Sequence, residues 1–210
     1  ASLIAWIAVM IFSLYMAAIF GELTSMFPTA GGVYEFCKNA FNGFWAFLIG
    51  WVTFITGNVT IAMLIVGAIE YLAPVDAPVI KIGIAILFVI IFHLIAHFGM
   101  RTSATMLVAF GFITLTTLLA LIVPGVLEFD VTNLTPFFVL GAGHIVIATI
   151  AIIETFFGWE TATFLAGETK DGERAVPKAL VLSTLFTGII SIALTLVLLG
   201  SIHWQVLGSL

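Results

Sequence analysis

Charge is what this sequence has least of. Lys, Arg, Asp and Glu together make 8% of its 210 residues, against roughly 25% in an average soluble domain. Only six of the residues are Lys or Arg, so no basic patch is available to hold nucleic-acid phosphates. There is one cysteine, Cys37, which excludes an internal disulfide. It stands beside Lys38 in a connecting segment and is read as a reduced thiol without a structural role. No nucleophile is paired with a base and no phosphate loop is present. The stretch Gly141-Ala142-Gly143-His144 is too short and too apolar in context to be a nucleotide fingerprint. These absences argue against an enzyme, a nucleotide binder and a nucleic-acid binder, and no cofactor is expected.

What the chain has instead is apolar length. Hydrophobic residues make 62% of it and the mean hydropathy is +1.29. No soluble fold of this size hides so much apolar surface, so the solvent is expected to be a lipid bilayer. Six apolar spans stand out, at about 3–26, 44–72, 79–98, 102–126, 145–166 and 180–202, each near or above the roughly 20 residues a helix needs to cross. Backbone groups in lipid must satisfy themselves, so all six are assigned as helices despite their Val, Ile and Thr content. The expectation is an all-α membrane protein with a single polytopic transmembrane domain over 1–210.

Orientation follows from the basic residues. With alternating crossings one side receives Lys38, Arg101, Lys170, Arg174 and Lys178, and the other only Lys81. The connections 27–43, 99–101 and 167–178 are therefore predicted to be cytoplasmic. The last is the most charged part of the chain, and a plain solvated connection is its simplest reading. The chain starts at Ala1 inside apolar sequence and stops at Leu210 just after a span. Both ends read as cuts, and a helix is expected upstream.

The most informative stretch is Thr155-Phe156-Phe157-Gly158-Trp159-Glu160, with Glu154 just ahead of it. It places glycine and two carboxylates inside the fifth span. Ionisable groups at that depth cost a few kcal/mol each and usually face a cavity or a partner. A Gly-interrupted span with such acids is the pattern of a broken transporter helix. Glu154 and Glu160 would diverge on an unbroken helix, whereas a break at Phe157-Gly158 lets both approach one cavity. Unwound carbonyls could then hold an ammonium group or a cation. The alternative is a continuous helix whose acids are satisfied by neighbouring helices.

Other polar residues have plainer readings. His93 and His97 share a helix face at i, i+4 but lack a third ligand and the Glu of a zinc-protease motif, so no metal site is expected. Thr114, Thr116, Thr117, Asn58 and Thr60 read as helix-internal or interhelical hydrogen-bonding groups, with an ion site for the first three and pore lining for the last two as the alternatives. Glu22 sits near the cytoplasmic end of the first span and can snorkel. The glycine pair that follows permits a tight turn next to Tyr34.

Two segments carry a family resemblance. Glu22-Leu23-Thr24-Ser25-Met26-Phe27-Pro28-Thr29-Ala30-Gly31-Gly32-Val33-Tyr34 resembles the loop after the second helix of amino acid permeases, of the amino acid–polyamine–organocation superfamily. Phe44-Trp45-Ala46-Phe47-Leu48-Ile49-Gly50-Trp51 looks like their entry into the third helix. Phe156-Phe157-Gly158-Trp159-Glu160, followed by Gly167-Glu168-Thr169-Lys170-Asp171-Gly172-Glu173-Arg174-Ala175-Val176-Pro177-Lys178-Ala179, resembles their sixth helix and the loop after it. The resemblance covers the whole chain as helices two to seven of an expected twelve. Gly167 stands where the family often has an acidic residue and Gly172 where proline is common; both changes are expected to be tolerated. Thr114 appears at the place of a lysine found in some proton-coupled members.

The resemblance implies an incomplete inverted-repeat fold of the leucine-transporter type. It also implies a secondary transporter moving amino acids or related amines by alternating access, with H+ or Na+ as candidate coupling ions. The substrate amine would meet backbone around Glu154, Thr155 and Phe157, while Phe156 and Trp159 would act as aromatic walls or gates. Gly158 and Glu160 complete the expected site. A truncated, non-transporting fragment or structural membrane subunit is the alternative.

Overall fold

Lipid offers a backbone no hydrogen-bond partner but itself, and the chain is built almost wholly of helices. The computed structural model describes residues 2–73, 77–135, 143–156, 158, 160–202 and 206. The helices are α1 (Ser2–Met26), α2 (Val33–Ala40), α3 (Gly43–Leu72), α4 (Pro78–His97), α5 (Met100–Leu127), α6 (Gly143–Ile153), α7 (Thr161–Phe164) and α8 (Gly172–Ser201). Short 3-10 turns lie at Val131–Leu134, Glu154–Phe156 and Ala166–Glu168, and no strand occurs among the described residues. Six segments have the length and composition to cross a membrane. The protein is an all-α, multi-pass membrane protein.

Two boundaries differ from the sequence reading. The connection 27–43 contains a helix, α2, which carries Glu35 in its first turn and Lys38 in its last. That polarity suits the helix dipole, and the buried Phe36 packs its ring against Phe20 and Phe27. Second, α8 begins at Gly172, so the charged stretch before Leu180 is mostly helix. Its charges mark a polar first turn, which a hydropathy count reads as loop. The fifth span, expected to be broken, is several short pieces between Gly143 and Glu168.

The contacts divide the chain into two units. One comprises Ala1–Phe47 and Thr117–Leu210, the other Leu48–Thr116. In the first, α1 and α8 form the main seam. The buried positions of α1 are Ala5, Val9, Ser13, Ala17, Gly21 and Thr24. Those of α8 include Gly172, Val176, Leu180, Thr184 and Gly188. Both sets recur every three or four residues, so each is one stripe of a helix. Gly21 faces Pro177 and Gly188 faces Met10, so the two helices run antiparallel. Their small residues let the backbones approach closely, which is how helices gain attraction in lipid. The hydroxyls of Thr24 and Thr184 donate to the carbonyls of Phe20 and Leu180 in their own helices.

The far end of this unit is tied by polar bonds. Pro124 interrupts the hydrogen-bond ladder of α5. The Ser201 hydroxyl donates to the Gly125 carbonyl at 2.8 Å. The Asp130 N–H and the Asn133 amide donate to the Gly200 carbonyl at 3.0 and 2.7 Å. In the second unit, Lys81 pairs with Glu70 at 2.6 Å, clipping α3 to α4. No residue of α4 is buried.

Two outcomes follow. Gly188→Leu would drive a side chain into Met10, and overpacking of this kind costs about 1–3 kcal/mol. Its thermal midpoint in detergent should fall by several degrees, while Gly57→Leu, at a position with open space around it, should leave the midpoint near the parent's. Asp130 accepts hydrogen bonds from the Thr132 N–H and hydroxyl, and these hold its carboxyl below the ordinary 3.8. The folded-state value is the lower one, so the charge stabilises the Val131–Leu134 turn above the ordinary value. That support is lost as pH falls through the lowered value. Amide-exchange protection at Thr132 should drop with acidification in the parent and lose this pH dependence in Asp130→Asn.

Candidate functional site

Helix α6 stops at Ile153 well inside an apolar segment. A 3-10 turn, Glu154–Phe156, replaces the next helical turn. Gly158 then takes φ +100°, a backbone state open to glycine and strained for other residues. Helical structure resumes at Thr161 and lasts four residues. The span is therefore broken where the glycine and the acids are placed by the sequence.

Side chains brace the break from within. The Glu160 carboxylate accepts from the Gly158 N–H at 2.9 Å. The Gly158 carbonyl accepts both the N–H and the hydroxyl of Thr161. The Glu160 carbonyl likewise accepts the N–H of Thr163 at 3.0 Å and its hydroxyl at 2.6 Å. Farther on, the Leu165 carbonyl takes the N–H of Glu168 and the hydroxyl of Thr169. Three threonines thus stand beside the carbonyls that a continuous helix would have bonded itself. These threonines escaped the sequence reading. Their signal was Thr-x-Thr directly after Gly-x-Glu.

The predicted site residues divide by environment. Glu154 and Thr155 are exposed on the 3-10 turn. Gly158 is exposed and Glu160 half-buried, its carboxylate turned back on the chain. Phe156 is 3% exposed and meets Trp6 of α1 edge to face, with ring centroids 6.2 Å apart. Phe157 and Trp159, also expected in the site, lie outside the described residues. Glu154 and Glu160 do different things here: one carboxylate shapes the backbone and the other stands on the open side of the break.

The resumed helix is held by its neighbours. Ala166 packs with Ala17 of α1 and with Val176 and Leu180 of α8, and Phe20, Ala162 and Val181 flank this cluster. The turn before α2 closes over it. A Cβ on Gly32 would overlap the Thr163 hydroxyl, and one on Gly167 would lie 2.6 Å from the Ala30 nitrogen. The substitution of glycine at 167 thus matters more than its place in a loop suggested.

Two of the other polar candidates are engaged locally. Asn58 donates to the Phe54 carbonyl at 2.8 Å and Thr116 to that of Phe112 at 2.8 Å. Among the described residues no group of three His, Cys, Asp or Glu side chains is arranged to hold a metal.

A multi-pass helical membrane protein with a glycine-broken span and acids at the break has a pattern that many membrane transporters share. The comparison with known families is specific: the amino acid permease profile matches residues 1–210, and the chain belongs to that family. It is 26% identical over 196 residues to the low-affinity putrescine importer PlaP of Escherichia coli (strain K12), covering 87% of this chain and 42% of the relative. It is 24% identical to the glutamate/serine transporter AimA of Bacillus subtilis (strain 168), covering 97% of this chain and 42% of the relative. The chain thus spans under half the length of these curated relatives. Such relatives and the six apolar helices make it a multi-pass protein of the cell membrane.

The Trp6–Phe156 contact fixes the break against α1, and aromatic pairs of this geometry contribute about 0.5–1.5 kcal/mol beyond buried area. A double-mutant cycle of Trp6→Leu and Phe156→Leu, read by thermal or denaturant unfolding in detergent, should return a coupling of that size. Additive effects would mean the rings only fill space.

Proposed function

We propose that this chain forms the substrate-holding part of a secondary transporter for amino acids or related amines, working by alternating access. The observation that carries this reading is the break between Ile153 and Thr161 in a member of the amino acid permease family. Backbone there leaves the α-helical ladder inside an apolar span, where irregular structure is tolerated only if it is covered by protein or lines a cavity. A substrate ammonium would be held by carbonyls around Glu154, Thr155 and Phe157, with Phe156 as a fixed wall. No bond is made or broken in the substrate. H+ and Na+ are the candidate coupling ions. The connections 27–43 and 99–101 and the charged stretch 167–178 are cytoplasmic, on the five-to-one distribution of Lys and Arg.

The two relatives are named for different substrates: one for a diamine, the other for glutamate and serine. Glu154 favours the first kind. An exposed carboxylate beside amine-binding carbonyls would attract a guest with a second positive charge, whereas Glu160 is occupied with the Gly158 amide. A cationic amino acid or a polyamine is therefore the proposed substrate class.

Uptake of labelled putrescine, lysine and serine by the full-length protein in vesicles tests this. Glu154→Gln should weaken uptake of the two cationic compounds by about tenfold or more, the scale of one lost charge-assisted hydrogen bond, and spare serine. Unchanged selectivity together with unchanged pH dependence would remove Glu154 from the site.

A further inference from the structure

The turn at 29–32 touches the resumed half of the broken span at two places where only glycine fits. Gly32 adopts φ +47°, and a Cβ on it would overlap Thr163 Oγ1 and lie 3.1 and 3.2 Å from Cδ1 and N of Phe164. Gly167 has no positive φ, yet its Cβ would sit 2.6 Å from the nitrogen of Ala30 and 3.3 Å from the carbonyl carbon of Thr29. The same Thr163 is 1% exposed and donates its hydroxyl to the Glu160 carbonyl. The Glu160 side chain in turn holds the Gly158 amide. A continuous path of contact thus runs from the turn, through Thr163, to the residue with the left-handed backbone.

We propose that Gly32, Thr163 and Gly167 are positioning residues for the break: the turn at 29–32 latches the resumed helix and thereby sets the shape of residues 154–160 without touching the guest. The latch rests on the reading of that segment as the substrate site. Its logic is geometric. Thr163 has no room to turn, because Gly32 closes over its hydroxyl. The hydroxyl therefore stays on the Glu160 carbonyl, and residue 160 stays where its carboxylate reaches back to Gly158. Any side chain at 32 or 167 lifts the turn, frees Thr163 and loosens the brace. The family of contacts lies wholly within one unit of the fold.

Thiol labelling reads the shape of the break without requiring transport. In the full-length protein with native cysteines replaced, Thr155→Cys supplies a reporter at an exposed position of the 3-10 turn. Its reaction rate with a methanethiosulfonate reagent is measured there, and uptake of putrescine and serine is measured in matching proteins that keep Thr155. Thr163→Val keeps the volume and removes the hydroxyl; Gly167→Ala lifts the turn. Each should change the labelling rate by about fivefold or more, within the range of energetic coupling between neighbouring networks, and Thr163→Ser should restore the parent rate. If Gly167→Ala does not reach the membrane, the Thr163 pair decides alone. Parent-like labelling in Thr163→Val overturns the latch. A labelling change in a protein whose parent carries neither putrescine nor serine supports the latch and counts against the substrate reading. Uptake without a labelling change does the reverse.

Discussion

The close seam between α1 and α8 is the constraint on which the rest of its unit depends. In lipid, apolar side chains gain little by leaving one apolar surface for another, so helices hold together through close packing. Gly21 against Pro177 near one end and Gly188 against Met10 near the middle supply it along an antiparallel pair. Once that pair is fixed, it presents the rest of a socket. Trp6 receives Phe156 within the break, ahead of Gly158, and Ala17, Val176 and Leu180 receive Ala166 beyond it. The broken span is thus held on both sides of its weakest point. A break in an unsupported helix would leave backbone groups without partners at a cost of several kcal/mol, so the support is a condition for the break to exist.

The break itself is a division of labour between residue types. Glycine at 158 allows a backbone state that side chains resist. Threonines at 161, 163 and 169 bond carbonyls three or four residues back. Glu160 supplies the acceptor for an amide near the turn. The result is irregular backbone with much of its hydrogen bonding met locally. For the proposed substrate site this matters, because pre-ordered sites bind at lower entropic cost.

Much of this was legible in the residues. Six apolar runs announced helices, because lipid admits few other solutions, and Gly158 among acids marked the interruption. Boundaries were less legible where physics competes. Gly172 to Lys178 reads as loop because its charges lower hydropathy, yet a polar first turn is compatible with helix α8. Val33–Ala40 was hidden inside a connection because its apolar face is short, with Phe36 as its buried anchor. The role of Thr163 depends on Gly32, more than a hundred residues away in sequence. No local pattern carries that information, since it exists only after the chain has folded back on itself.

The hydroxyls along the main seam have one more implication. Thr24 and Thr184 are buried, but each directs its proton to a carbonyl of its own helix. Neither stitches one rod to the other. Sliding α1 along α8 by a fraction of a turn would leave both of these bonds whole but lose the close fit of Gly21 on Pro177 and Gly188 on Met10. The register of α1 on α8 is therefore set by shape, with polar knots kept for the rim around Gly125, Gly200 and Ser201.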